Sequence, residues 1–269
     1  MNSSYKSHRP KKHLGQNYLI DENICRNIVD SFNIEQDDCI LEIGPGTGAI
    51  TKYILQKTKY FTAIELDINN VNLLSQKFSD VKIINKDFLK LDAIDILEVF
   101  PIRKNKIRII GNIPYYITTD IMFKMVDNRD IIKDAQIMIQ EEVAQRVIAK
   151  PGTKAYGILS IMLQVYSQPK LLFKVSSNCF YPKPNVDSRI IYFDFNVNLL
   201  DKISDIKFFR KFIKASFGTR RKTLRNCLKS IQIDTNKTDI DFDFTTRAES
   251  LNVEELIDLS NKLYGQINK

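Results

Sequence analysis

Two kinds of apolar spacing alternate along the first two-thirds of the chain. Short β-branched runs give way to amphipathic stretches, over and over, from about residue 24 to residue 165. Ile24 to Phe32 reads as a helix, and Cys39-Ile-Leu-Glu-Ile43 as a strand closed by Gly44-Pro-Gly-Thr-Gly48. Ala49 to Lys57 reads as the helix that follows. Tyr60–Ile64, Val81–Ile84 and Ile107–Ile110 are three further strands; Asp134–Ile139 is a fifth, running into a helix over Glu141–Ala149. Strands separated by helical stretches imply parallel βαβ units and a sheet covered on both faces. Two later runs, near Leu171–Val175 and Arg189–Phe195, suit antiparallel pairing at one edge.

Beyond Phe195 the strand pattern stops. Asp205–Phe217, Thr219–Lys229 and Val253–Leu263 read as helices, with Asp234–Thr246 a polar, acidic connection. The expected organisation is an α/β domain over 1–195 followed by a small all-α domain over 196–269. Residues 1–23 form a basic N-terminal segment of the first domain.

Composition narrows the class. The 269 residues are enough for one large α/β domain with an appendage. Hydrophobic content of 43% and charged content of 27% are those of a globular protein. No apolar run approaches the ~20 residues of a membrane helix, and the first 20 residues are polar and basic. A cytoplasmic protein without membrane association is expected. Cys25, Cys39, Cys179 and Cys227 lack CxxC spacing and only two histidines accompany them, so reduced thiols and no metal site are expected.

The net charge of +8 is unevenly placed. Met1 to Ile20 holds Lys6, Arg9, Lys11 and Lys12 and no acid. Lys207 to Lys229 holds nine Lys/Arg and no acid, Arg220, Arg221, Lys222 and Arg225 among them. Segregated positive charge suits a polyanion, because each neutralised phosphate releases counterions. A merely solvated helix face usually interleaves both signs. Lys11, Lys12, Arg220, Arg221, Lys222 and Arg225 are therefore the candidate nucleic-acid contacts.

In an open parallel sheet, ligands bind beyond the carboxyl ends of the strands. The first strand ends in Glu42-Ile-Gly-Pro-Gly-Thr-Gly48, a GxGxG spacing rather than the GxGxxG of a dinucleotide pyrophosphate site. The next strand ends at Glu65, 21 residues after Gly44, where a carboxylate can accept from both ribose hydroxyls. Asp87-Phe88 follows the third strand, and its carboxylate can accept from the amine of a cofactor adenine. Each acid alone is equally an ordinary strand-end residue; the glycine loop, Glu65 and Asp87 on three successive strand ends together point to a nucleoside cofactor. Gly44, Gly46, Glu65, Leu66, Asp87 and Phe88 are the candidates from these loops.

Asn112-Ile-Pro-Tyr115 follows the fourth strand directly. The lone pair of an exocyclic amine is delocalised into its ring, so the nitrogen is a poor nucleophile. A carboxamide oxygen from Asn112 and a backbone carbonyl, set by Pro114, can take the two amine hydrogens and favour the pyramidal nitrogen. No strong base is needed, since the amine becomes acidic as it attacks. Tyr115 offers a ring face to the target base and Phe180 can supply the opposing one, base–aromatic stacking being worth ~1–3 kcal/mol per base. Taken alone, a phenylalanine such as Phe180 is more often a core residue.

Over nearly its whole length the chain resembles the KsgA-type family of ribosomal RNA adenine dimethyltransferases. The resemblance rests on Leu14-Gly-Gln-Asn-Tyr-Leu19, Glu42–Gly48, Glu65, Asp87, Asn112–Tyr115, Phe180-Tyr-Pro-Lys-Pro-Asn-Val-Asp187 and Phe217-Gly-Thr-Arg-Arg-Lys-Thr-Leu-Arg-Asn226, in that order. It implies a Rossmann-like class I methyltransferase fold: a seven-stranded, mostly parallel sheet with one antiparallel edge strand, plus a small helical domain. It implies S-adenosylmethionine as cofactor, S-adenosylhomocysteine as product, and four methyl transfers to two adjacent adenosines near the 3′ end of small-subunit rRNA. The substrate would be a pre-ribosomal 30S-type particle, met by a monomer. Carried over by motif, Asn17 and Leu19 would contact the methionine part, Gly44 would line that pocket, Glu65 would hold the ribose and Asp87 the cofactor adenine. Asn112 would touch both cofactor and target amine. Tyr18 stands where the family usually has Phe.

Two other classes share some of these features. An NAD oxidoreductase suits Glu65 but not the GxGxG loop or Asn-Ile-Pro-Tyr. A ribosome-assembly protein that has kept the fold without its catalysis is disfavoured by intact Asn112, Pro114 and Tyr115. The erythromycin-resistance methyltransferases, a sister group acting on large-subunit rRNA, commonly have Ser and Lys in the glycine loop, unlike Gly44–Gly48 here.

Overall fold

The computed structural model describes residues 10–11, 14–98, 100, 106–219 and 221–267. Its strands are β1 (Tyr18–Leu19), β2 (Ile40–Ile43), β3 (Phe61–Ile64), β4 (Lys82–Ile84), β5 (Ile107–Asn112), β6 (Ile132–Gln140), β7 (Gln168–Val175), β8 (Phe180–Tyr181) and β9 (Ser188–Asp194). Its α-helices are α1 (Glu22–Ser31), α2 (Thr51–Ile54), α3 (Ile68–Lys77), α4 (Ala93–Leu97), α5 (Thr118–Asp127), α6 (Glu141–Val147), α7 (Ile158–Tyr166), α8 (Ile206–Phe217), α9 (Leu224–Leu228) and α10 (Val253–Ile267). Among the described residues, no helix is long and apolar enough to cross a membrane.

Seven strands form one sheet in the order β4-β3-β2-β5-β6-β9-β7. β4, β3, β2, β5 and β6 run parallel, and β9 runs antiparallel to β6, one place in from the outer strand β7. The central strands are buried on both faces, which is why β2 and β5 read as near-continuous apolar runs rather than alternating ones. Chain order reverses between β2 and β5: β3 and β4 lie to one side, β5 and β6 to the other. That reversal opens a crevice at the carboxyl ends of the strands. The register pairs Ile43 with both Ile64 and Gly111, so the three strands end level. A Cβ on Gly111 would sit 2.5 Å from the carbonyl oxygen of Ile43, so only glycine allows this approach.

The chain separates into two compact units, 1–144 with 170–196 and 145–169 with 197–269. Residues 145–169 thus pack with the C-terminal helices, although their apolar pattern continues that of the sheet. The reason lies in α7, which is apolar on nearly every face and is packed with α8 and α10 in the second unit. α8 is capped by Asp205, which accepts from Phe208 N at 2.6 Å, and buries Phe209, Phe212 and Ile213 on one side.

Two expected helices are shorter than their patterns. Of Ala49–Lys57, only Thr51–Ile54 is α-helical; tighter bonds from Gln56 N to Tyr53 O and from Lys57 N to Ile54 O end it, and Thr58 Oγ1 binds the carbonyls of Gln36 and Asp38. Among the described residues of 219–229, only Leu224–Leu228 is α-helical, because Leu224 N and Arg225 N donate to Thr246 O and Phe244 O of the loop the sequence marks as polar connection. A two-stranded antiparallel ribbon, β1 with β8, was not legible in the pattern; it pairs Tyr18 with Tyr181 and Leu19 with Phe180.

The amino ends of the strands are fastened by one buried cation. Arg108 donates Nε and Nη2 to the two oxygens of Asp134 at 2.8 and 2.9 Å, Nη1 to Asp38 and to Asn33 O, and Nη2 to Phe32 O. Tyr192 donates to Asp134 at 2.9 Å as well. All five guanidinium donors are used, so the buried charge is compensated from three directions. Arg108→Leu leaves Asp134, 2% exposed, without its cation. We expect a loss of about 3–5 kcal/mol in urea unfolding; a loss under about 1 kcal/mol, the scale of an exposed pair, would refute this role.

Candidate functional site

The crevice at the strand reversal is lined by the loops after β2, β3, β4 and β5 and by the segment before β1. Asn17, Leu19, Gly44, Gly46, Glu65, Leu66, Asp87, Phe88, Asn112, Pro114 and Tyr115 all line it. Phe180 does not. It is 3% exposed and belongs to the core cluster with Leu19, Ile28 and Ile190, because β8 alternates faces: Phe180 turns inward and its neighbour Tyr181, 46% exposed, turns outward. The expected opposing ring is therefore not brought to the cleft. Tyr116, which the sequence did not single out, lines the cleft and is exposed.

The two carboxylates at the ends of β2 and β3 differ in their company. Glu65 is buried and accepts from Gly46 N at 3.0 Å, Asp67 N at 2.8 Å and Asn70 Nδ2 at 3.3 Å. Burial still holds its pKa above the usual carboxylate range, the three donors offsetting part of that push. Glu42 is fully buried beside it with one partner, Thr51 Oγ1 at 2.7 Å. Desolvation, reinforced by the nearby Glu65, pushes Glu42 up to about 8. Glu42 was part of the sequence motif, but nothing in the motif marked it as a carboxyl kept neutral near pH 7. Asp87 accepts through Oδ1 from Leu89 N, 3.0 Å away, capping the turn, and lines the crevice.

At the end of β5, Asn112 Nδ2 donates to Asn17 O at 2.9 Å. That bond fixes the carboxamide so that Oδ1 is its open side. Among the described residues nothing donates to Asn112 Oδ1 or to the carbonyl of Ile113, the residue being 1% exposed and its N–H spent on Met138 O. Two acceptors without a protein donor among the described residues thus stand at adjacent positions of one turn, Asn112 half-buried and Ile113 buried. Tyr115 is anchored next to them through its hydroxyl, 2.8 Å from Ser188 Oγ.

The basic candidates are dispersed. Lys11 places Nζ 2.6 Å from Asp67 Oδ1 and so is paired inside the first unit. In the second unit Arg221, Lys222 and Arg225 are exposed, as are Lys207, Lys211 and Lys214 along the outer face of α8. Lys12 and Arg220 lie outside the described residues. No group of three or more His, Cys, Asp and Glu side chains among the described residues is placed to hold a metal ion, and all four cysteines are free thiols.

Burial of Glu42 makes a pH signature. Its carboxyl titrates near 4.5 unfolded and near 8 folded, so its stabilising proton is fully held below pH 4.5 and lost as pH rises through about 8. Relative to Glu42→Gln, the native chain is expected to lose unfolding free energy between pH 5 and pH 9 in denaturant titrations. A constant difference between the two proteins across that window would contradict the buried, neutral carboxyl.

Comparison with known proteins places this geometry. The family model described as Ribosomal RNA adenine dimethylase matches residues 7–264. A protein of Chlorobium phaeobacteroides (strain BS1) named Ribosomal RNA small subunit methyltransferase A is 44% identical over 253 residues, covering 94% of this chain and 93% of that one. One of the same name from Francisella tularensis subsp. novicida (strain U112) is 41% identical over 266 residues, 96% and 99% of the two chains. The solved structure of a dimethyladenosine transferase from Plasmodium falciparum superposes with a TM-score of 0.74 at 21% identity, over 93% of this chain and 97% of that one. The sheet and helical region described above are those of a Rossmann-like methyltransferase.

Proposed function

Because the chain belongs to the ribosomal RNA adenine dimethylase family, we propose that it transfers methyl groups from S-adenosylmethionine to the exocyclic amines of two adjacent adenosines near the 3′ end of small-subunit rRNA. The observation that supports this most is the pair of open acceptors at Asn112 Oδ1 and Ile113 O, on a turn that shares its cleft with Glu65 and Asp87. An amine has two hydrogens, and this turn carries two acceptors to which nothing among the described residues donates.

The donor set suits the cofactor. Glu65 can accept from the ribose while its amide partners hold it, since Oε1 has only Asp67 N as donor; Asp87 has an oxygen for the adenine amine, and Leu66 and Phe88 flank that end. Asn17, Leu19 and Gly44 wall the end nearer Asn112, where the methionine part belongs. When bound, S-adenosylmethionine supplies a methyl group made electrophilic by its sulfonium. The protein does the rest by orientation. Asn112 Oδ1 and Ile113 O take the two hydrogens of the target amine, drawing the nitrogen towards a pyramidal form whose lone pair is free. The proton is released to water once the new bond is made. Tyr115, held at its hydroxyl by Ser188, offers its ring to an adenine lifted out of the RNA stack.

The RNA itself is read as meeting the exposed cations of the second unit, Arg221, Lys222 and Arg225, together with those of α8. We take the substrate to be a 30S-type particle under assembly, the protein to act as a monomer, and the setting to be the cytoplasm.

Asn112→Ala is expected to cut methyl incorporation from labelled cofactor by about 10²–10³-fold, the cost of one preorganised oxyanion-type partner. Its affinity for unmethylated small subunits should change little; undiminished turnover would remove Asn112 from the chemistry. Arg221→Glu with Arg225→Glu should weaken RNA binding and lower the slope of log K against log salt by about one to two. An unchanged salt slope would mean that these cations face away from the RNA.

A further inference from the structure

Tyr18 touches both groups that hold one oxygen of Glu65. Its ring lies under the glycine loop: a Cβ added to Gly46, whose φ is +59°, would meet Tyr18 Cδ1 at 3.0 Å. Its hydroxyl sits 2.8 Å from Gln16 Oε1 and 3.3 Å from Asn70 Oδ1. Gly46 N and Asn70 Nδ2 both donate to Glu65 Oε2, at 3.0 and 3.3 Å. The hydroxyl has a single proton, shared between the two acceptors Gln16 Oε1 and Asn70 Oδ1, and its share at Oδ1 keeps Asn70 Nδ2 towards the carboxylate. A flipped amide would set two oxygens against each other. Tyr18 is 6% exposed, and burial pushes its pKa up to about 12, so it stays a donor over the working range of pH.

The Gln16 bond ties the same hydroxyl to a second support. Gln16 Nε2 donates to Asp67 Oδ2 at 2.9 Å, Lys11 pairs with Asp67 Oδ1, and Asp67 N donates to Glu65 Oε1 at 2.8 Å. Both oxygens of Glu65 are thus aimed by groups in one connected network, and Tyr18 is where its two branches meet.

We propose that Tyr18 is a positioning residue for the cofactor ribose: through Asn70 and the Gly46 loop it fixes the Glu65 carboxylate in the orientation that receives the ribose hydroxyls. This rests on the reading of Glu65 as the ribose acceptor. The hydroxyl is a feature of this chain, since the resembled motif carries Phe at this place; the ring contact with Gly46 needs only the ring.

Tyr18→Phe separates the two roles, keeping the ring and removing the hydroxyl. By titration calorimetry, S-adenosylhomocysteine should bind roughly five- to ten-fold more weakly to the variant, the scale of one hydrogen bond to a buried group. The analogue with both ribose hydroxyls replaced by hydrogen should bind both proteins equally, because the misaligned carboxylate then has no partner to miss. In steady-state assays the KM for S-adenosylmethionine should rise by a similar factor while kcat stays within about two-fold. Equal loss for both ligands, or no loss for either, overturns the proposal. Should Tyr18→Phe unfold, Asn70→Ser breaks the same link from its other end and must show the same selectivity for the hydroxylated ligand. Glu65→Gln distinguishes the underlying reading: unchanged affinity there removes the ribose assignment itself, whereas loss there with none in Tyr18→Phe removes only the role of Tyr18.

Discussion

Everything at this site depends on how closely β2 and β5 approach at their carboxyl ends. The two strands are parallel neighbours, yet the chain leaves them to opposite sides of the sheet. Their separation decides whether a glycine loop and an Asn-Ile-Pro-Tyr turn face one cleft or two. Gly111 keeps it small by having no side chain beside Ile43 O. Neither strand chooses its partner by local propensity; the pairing is a property of the whole parallel sheet, where both faces are buried and register is strongly specified.

Burial at the ends of β2 and β3 determines the electrostatics of the cleft so formed. Glu42 and Glu65 lie close together where charge is penalised; Glu65 has three donors to offset the penalty in part, and Glu42 has Thr51 Oγ1. Asn112 Oδ1 and Ile113 O, to which nothing among the described residues donates, lie on the turn that borders the same cleft.

Much of this was readable from the chain and the remainder was not, for definite reasons. The strands β2, β3, β5 and β6 were legible because buried parallel strands are runs of Ile, Leu and Val bounded by Gly, Pro or charged residues. The strand-end motifs were legible because each follows such a run. Helix lengths were not: the end of α2 and the start of α9 are set by Thr58 and by the 244–246 loop, partners distant in sequence or outside the helical pattern. Phe180 and Tyr181 are adjacent aromatics, and only the β1–β8 pairing decides which one faces inward. The segment 145–169 carries apolar spacing compatible with either unit, and which core it joins is a tertiary outcome. The raised pKa of Glu42 and the network through Tyr18 arise from burial among groups that are dozens of residues apart.

The buried Arg108 cluster lies at the amino ends of β5 and β6, while Asn112 closes β5 at its other end. One strand therefore carries an anchor at its foot, Arg108, and Asn112 at its crest, four residues away. Free energy gathered at the foot allows the crest to keep a carboxamide oxygen and a carbonyl to which nothing among the described residues donates. Evolution can thus redraw the upper rim of such a sheet for new substrates without endangering the fold, so long as the lower rim is left alone.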